Sequence, residues 1–253
     1  MSSWVERAWK KGIVTTSYPA EPATEEEAPP SGRAPQVADR SSFAAFAAAA
    51  ESHCPTRAIG ASGLDQGKCI RCSRCLPSGF RAAAELEAAS GGRSSLLWID
   101  GVPPKSTVAP APLAPIGRSI AVFLMDAGSC NACNLEVLAL ANPYYDAHRL
   151  GISFTNSPRH ADVLVVVGVL TAGLVEPLKR TYEAMPSPKA VLAVGACAID
   201  GGIFESTPGL DSTVRSVVPV DLFVSGCPPP PLAVLDGILR LAGRDRTRSG
   251  GSP

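Results

Sequence analysis

"RSIAVFLMDAGSCNAC", residues 118–133, decides the fold. A short continuous apolar run gives way at once to small residues and two cysteines. Such a run, without polar alternation, reads as a strand buried on both faces of a parallel sheet. Three more runs share the form: "ADVLVVVG" (161–168), "AVLAVG" (190–195) and "VDLFVSG" (220–226). Helical segments are expected between and after them, at about 133–149, 171–185 and 231–242. This alternation predicts an α/β layer fold around a central parallel sheet. Cys130 follows the first run, Cys197 the third and Cys227 the fourth. In open α/β sheets the carboxyl ends of the strands are where ligands bind. Three loops distant in sequence would converge there and present four sulfurs, counting Cys133. Cysteines scattered at random would not choose the same edge three times.

Composition narrows the field. The chain has 253 residues, a length for one domain or one domain with a small appendage. Its 23 Lys+Arg balance 23 Asp+Glu, so no global charge draws it to nucleic acid or acidic lipid. No apolar run approaches the roughly 20 residues of a membrane helix. "MSSWVERAWKKGIVTTSYPA" (1–20) lacks the apolar core of a secretory signal. Residues 1–40 read as an extended arm, with "EPATEEEAPPSGRAPQV" (21–37) Pro- and Glu-rich. Residues 41–100 form a small domain with helix-prone stretches at 42–52 and 81–91 and a strand at "LLWID". "GVPPKSTVAPAPLAPIG" (101–117) is a Pro-rich linker, 118–244 the sheet domain, and 245–253 a disordered tail.

Eight cysteines are unusual in a reducing compartment unless they serve metal or redox chemistry. They fall into two sets of four: Cys54, Cys69, Cys72 and Cys75, then Cys130, Cys133, Cys197 and Cys227. The plain alternative is eight small buried hydrophobes. Four thiolates per site suit a tetrahedral metal or a cubane with one thiolate per iron. "CIRCSRC" (69–75) is C-x2-C-x2-C. Three thiolates on one tight loop fit a cubane better than zinc, which usually takes pairs. Bacterial two-cluster ferredoxins repeat C-x2-C-x2-C-x3-C-P, the fourth Cys of each run serving the other cluster. Here Cys54-Pro55 precedes the three-Cys run, the order of one cluster of such a protein. By the same spacing the other cluster's ligands would stand at Ala44, Ala47, Ala50 and Gly79. All four are absent together, which reads as loss of a whole cluster.

Gly128, Gly195, Gly201, Gly202 and Gly226 flank the second set. They let backbone approach an inorganic core, or they simply make strand-to-helix turns. Pro228 to Pro231 give a rigid exit after Cys227. Glu136 is either a first-turn Glu favoured by the helix dipole or a proton carrier beside a redox centre. His148 and His160 read as structural, and the role of His53 is open.

The stretches "DAGSCNACNLEVLAL", "NPYYDAHRLGISFTNSPRHADVLVVVGVLT", "VGACAIDGGIF" and "VDLFVSGCPPPP" carry a resemblance. Residues 118–243 resemble the small, 20 kDa-type electron-transfer subunit shared by respiratory complex I and membrane-bound group 4 [NiFe] hydrogenases. The resemblance implies a flavodoxin-like parallel sheet and a proximal [4Fe-4S] cluster on Cys130, Cys133, Cys197 and Cys227. The complex I branch has adjacent Cys at the first ligand site, and commonly Arg where Pro230 stands. Cys130 and Cys133, separated by Asn131 and Ala132, follow the hydrogenase branch, especially the formate hydrogenlyase type. There a Glu at the position of Glu136 lies near the path to the large subunit. Residues 7–22 and 43–80 resemble the ferredoxin-like α+β subunit of the same complexes, here fused and reduced to one [4Fe-4S] cluster on Cys54, Cys69, Cys72 and Cys75. The implied protein is an electron-transfer subunit with two [4Fe-4S] clusters and no active-site chemistry of its own. Its expected partners are a [NiFe]-type large subunit and membrane-bound subunits that hold it on the cytoplasmic face of the cell membrane. With all eight Cys assigned, nickel would have to sit on that partner. A complex I-like quinone oxidoreductase subunit and a structural zinc scaffold are the competing readings.

Overall fold

The computed structural model describes residues 34–37, 43, 46–48, 50–60, 63–75, 96–99, 112–204, 207–210 and 213–244. Its larger part is a five-stranded, wholly parallel sheet of β5 (Ile120–Asp126), β6 (Ile152–Phe154), β7 (Val163–Val167), β8 (Ala190–Val194) and β9 (Leu222–Val224). The strand order is β6-β5-β7-β8-β9. Renumbered from the first of them this is 2-1-3-4-5, the flavodoxin-like winding, whose direction reverses between β5 and β7.

The four apolar runs become β5, β7, β8 and β9. Every residue of β7 and β8 is buried. Alternate side chains of a strand point to opposite faces, and the core divides accordingly. Val163, Val165 and Val167 join Leu192, Val194, Val137, Leu235 and Ile238 on one side. Leu164 and Val166 join Val191, Ala193, Leu178 and Val214 on the other. The first layer holds α1 (Ala132–Leu138) and α5 (Pro231–Leu241), and the second α2 (Val175–Ala184) and α4 (Val214–Val217). Each such Val or Leu stabilises the fold by about 1.5–3 kcal/mol relative to exposure.

Two carboxylates align the opposite end of the sheet. Asp162 Oδ2 accepts from Ala121 N at 2.8 Å, and Asp221 Oδ2 accepts from Val191 N at 2.8 Å. Each sits just before a strand and binds the neighbouring strand's free N–H, which fixes register.

The structure departs from expectation in particular places. The helix expected over 133–149 stops at Leu138 and continues as 3₁₀ turns at Ala139–Ala141 and Ala147–Leu150. Pro143 between them lacks the amide donor a longer helix needs. Strand β6 was not anticipated, because three residues make too short a pattern. The end of the Pro-rich linker belongs to the sheet domain: Leu113 is fully buried in its core and donates N–H to Leu241 O.

In the N-terminal half, β1 (Ala34–Val37) pairs antiparallel with β4 (Leu96–Ile99). The last four residues of the expected arm's Pro- and Glu-rich stretch are therefore a strand. Pro35 hid it, since proline suits only edge positions, and its partner lies far along the chain. The hairpin of β2 (Ile59–Gly60) and β3 (Gly63–Leu64) packs near Phe43, Phe46, Ala47 and Ala50, which bury against Ile59. Ala47 and Ala50, two of the positions where the spacing would put another cluster's ligands, are buried in this apolar packing. Ala44, Gly79, the stretch 81–91 and the tail 245–253 lie outside the described residues. Among the described residues, no helix is long and apolar enough to cross a membrane.

Candidate metal centre

Cys130, Cys133, Cys197 and Cys227 all stand beyond the carboxyl ends of strands. The loop after β5 delivers Cys130 and, on α1, Cys133. The five-residue helix α3 (Ala196–Asp200) after β8 delivers Cys197, and the loop after β9 delivers Cys227. Cys133 is buried, Cys197 half-buried, and Cys130 and Cys227 exposed.

Asp126, the last residue of β5, organises the first loop. Its carboxylate accepts from Gly128 N (2.8 Å), Ser129 N (2.7 Å), Ser129 Oγ (2.8 Å) and Asn134 Nδ2 (2.6 Å). Ser129 Oγ in turn accepts from Asn131 N at 3.0 Å. Burial pushes the Asp126 carboxyl up, but these hydrogen bonds outweigh it and hold the group below its ordinary value. The other loops are stitched together by backbone bonds: Gly195 N to Val224 O and Ala196 N to Gly226 O, both 2.8 Å.

Two glycines make room for sulfur. A Cβ on Gly195 would lie 2.6 Å from Cys133 Sγ, and its φ is +89°. A Cβ on Gly202 would lie 3.1 Å from Cys197 Sγ, at φ +57°. Any side chain at Gly195 would enter the space the thiols share.

Desolvation pushes the Cys133 thiol up to about 12, reinforced by the charges of Cys197, Cys227, Cys130 and Glu136. Cys197 rises to about 11, by burial first and then by Cys227 and Cys130. Cys227 rises by burial and by Cys130. Burial and the neighbouring thiols thus oppose ionisation of Cys133, Cys197 and Cys227. A positively charged metal core bound among them would offset that.

Cys54, Cys69, Cys72 and Cys75 line one pocket with Thr56, Ala58, Ile59, Leu64 and Arg71. Ala58 N donates to Cys54 Sγ at 3.2 Å. Arg71 and Ser73, between the cysteines of the three-Cys run, have φ of +55° and +63°. Left-handed residues are rare without glycine, and here they wind the loop tightly enough to turn its thiols inward. Burial raises Cys69 to about 11 and Cys75 to about 12, with further increments from the neighbouring thiols.

Among the described residues, no group of three or more His, Cys, Asp or Glu is arranged to hold a metal ion. Four thiolates on one zinc, each about 2.3 Å away, stand only about 3.8 Å apart. A four-iron core carries one thiolate per iron and spreads its ligands wider than a single zinc does.

Glu136 is half-buried in the second turn of α1. The helix begins at Ala132, so Glu136 lies outside the first turn where a dipole would favour it. Burial raises its carboxyl above the ordinary value. His53 Nδ1 lies 3.1 Å from Ser52 Oγ. Sequence reasoning missed four exposed apolar side chains near the cysteines in sequence. They are Leu135 and Leu138 on α1, and Ile203 and Phe204 after α3. A helical apolar position gives no sign in sequence of whether its face is covered.

The family described as NADH ubiquinone oxidoreductase, 20 Kd subunit, matches residues 130–241, a span that includes all four cysteines of the second set. A probable membrane-bound hydrogenase subunit mbhJ of Pyrococcus furiosus is 46% identical over 124 residues, covering 49% of this chain and 74% of that one. This chain belongs to that 20 kDa subunit family. Formate hydrogenlyase subunit 7 of Escherichia coli is 40% identical over 131 residues, and the chain spans about half of its length (51%). An NADH-quinone oxidoreductase subunit of Desulfovibrio desulfuricans is 46% identical over 112 residues, 43% of this chain and 59% of that one. The family is thus one of oxidoreductase-complex subunits, and the N-terminal half of this member lies outside the family match.

Proposed function

We propose that the chain is the electron-transfer subunit of a membrane-associated, hydrogenase-type complex. Cys130, Cys133, Cys197 and Cys227 would hold one [4Fe-4S] cluster, and Cys54, Cys69, Cys72 and Cys75 a second in a fused ferredoxin-like module. The observation that carries this is the convergence of four cysteines from three separate loops on one sheet edge, inside the family match. Bound there, each cluster would supply reversible one-electron transfer. The protein's own part is to aim and shield the thiolates: the Asp126 network fixes the first loop, Gly195 and Gly202 clear space, and the apolar layers exclude water.

Catalysis belongs to a partner in this reading. The exposed Leu135, Leu138, Ile203 and Phe204, with exposed Cys130 and Cys227, suit burial under a large subunit. That subunit would carry a [NiFe] site, and membrane-bound subunits would hold the assembly on the cytoplasmic face. The names of the Pyrococcus and Escherichia relatives support a hydrogenase rather than a quinone reductase. So does the Cys130-x2-Cys133 spacing, where the complex I branch has adjacent cysteines. Glu136 is the candidate for proton transfer near the large-subunit boundary.

Anaerobic purification tests the reading. Broad brown absorbance with about eight iron per chain is expected; colourless protein with about two zinc would establish the zinc scaffold instead. A co-purifying large subunit with two terminal Cys pairs would identify the nickel partner.

A further inference from the structure

The first cysteine site abuts the second through one short segment. Arg71 lies between Cys69 and Cys72, yet its Nη2 donates to Ser225 O at 3.3 Å, two residues before Cys227. Lys68 Nζ meets Asp200 Oδ2 at 2.7 Å, three residues after Cys197, and Arg215 Nη2 meets the other oxygen at 3.3 Å. A Cβ on Gly67 would lie 3.2 Å from Ile199 Cγ2, so the Gly67 backbone packs directly against the Ile199 side chain. Residues 67–71 therefore touch the very segments that present Cys197 and Cys227.

We propose that Arg71 is the positioning residue that locks the two cysteine sites together and holds one positive charge at their boundary. The inference rests on the reading that both quartets carry iron-sulfur clusters. Arginine suits the role because its guanidinium stays charged when desolvated and offers several fixed donors. Its backbone at φ +55° costs about 1 kcal/mol. That conformation sends the side chain out of the first site's loop toward β9. Its charge also stands at the first site, because Arg71 lines the same pocket as Cys54, Cys69, Cys72 and Cys75. Through the Ser225 carbonyl it also stands beside the chain that aims Cys227. A positive charge near a redox group favours its reduced form, strongly so where water is excluded. Lys68 and Asp200 secure the same contact from its other end.

The test uses the full chain, purified anaerobically and fully reduced with dithionite. Two paramagnetic centres held close broaden and split each other's EPR signals, and this interaction is expected in the wild type. Arg71→Ala keeps the same backbone cost and should retain about eight iron per chain. It should lose most of the splitting and make reduction of the first site about tenfold less favourable, about 59 mV for one electron. Arg71→Lys should restore most of the potential. Should Arg71→Ala shed the first site's iron, Asp200→Asn, which removes no ligand, must still weaken the splitting. Full iron with unchanged splitting and potential in Arg71→Ala would overturn the role of Arg71. Splitting retained in Asp200→Asn would overturn the lock. A wild-type chain without iron would sink the cluster reading itself, and this inference with it.

Discussion

The two four-cysteine sites stand on different foundations. The first hangs from a hairpin of two-residue strands and a small apolar core of Phe43, Phe46, Ala47, Ala50 and Ile59. The second crowns a five-stranded sheet whose β7 and β8 are buried throughout. Among the described residues little apolar area backs that left-handed loop, so a cluster bound there would supply much of its folding energy. The sheet, by contrast, has a core of its own that needs no ligand. The same donor set can therefore be either a keystone or an ornament on a finished frame, depending on the apolar area behind it.

The largest test of this difference is iron removal. Chelation should unravel residues 50–75 while the sheet persists. Amide exchange in that segment should speed up on the order of a thousandfold, about 4 kcal/mol. Val163–Val167 and Ala190–Val194 should stay protected; equal loss in both regions would erase the contrast.

Single-ligand changes sharpen it. Cys197→Ser should leave about four iron per chain, abolish hydrogen-linked activity of the assembled complex and spare the first site's EPR signal. Its sheet should melt as in the wild type. Gly195→Ala should act on the second site alone. A methyl 2.6 Å from Cys133 Sγ at φ +89° costs about 1–3 kcal/mol and should lower second-site iron, read by metal analysis alongside thermal unfolding.

Smaller effects come from the carboxylates. The folded value of Asp126 is depressed, so its contribution is present above the ordinary carboxyl value of 3.8 and fades as pH falls below it. Asp126→Asn should cost about 1 kcal/mol at pH 7, allowing for its exposure, and less at pH 3; urea titrations at both pH values check this. Glu136 behaves oppositely. Its raised value means that stability is greatest below 4.5 and declines as pH rises through the folded value. Glu136→Gln should leave iron content unchanged and slow turnover a few-fold; unimpaired turnover would remove Glu136 from proton transfer.

Much of this was legible in residues alone. "VLVVV" and "AVLAV" read as central strands and are, and the cysteines after β5, β8 and β9 share one edge of the sheet. Counting singled out Ala47 and Ala50, and in the structure both are buried in apolar packing. Other features were hidden. β6 is too short for a pattern, β1 is masked by Pro35, and the helix expected across Pro143 breaks there. The exposure of Leu135, Leu138, Ile203 and Phe204 was also hidden, because a pattern cannot say which face stays uncovered.

The sequence by itself determined β5, β7, β8 and β9 and the spacing of the thiols, because burial period and residue spacing are local properties of the chain. Only the tertiary structure decided that β6 flanks β5, that Leu113 closes the core, and that Arg71 reaches Ser225. Those contacts join residues far apart in the chain, and packing energy, which no local pattern encodes, selects them.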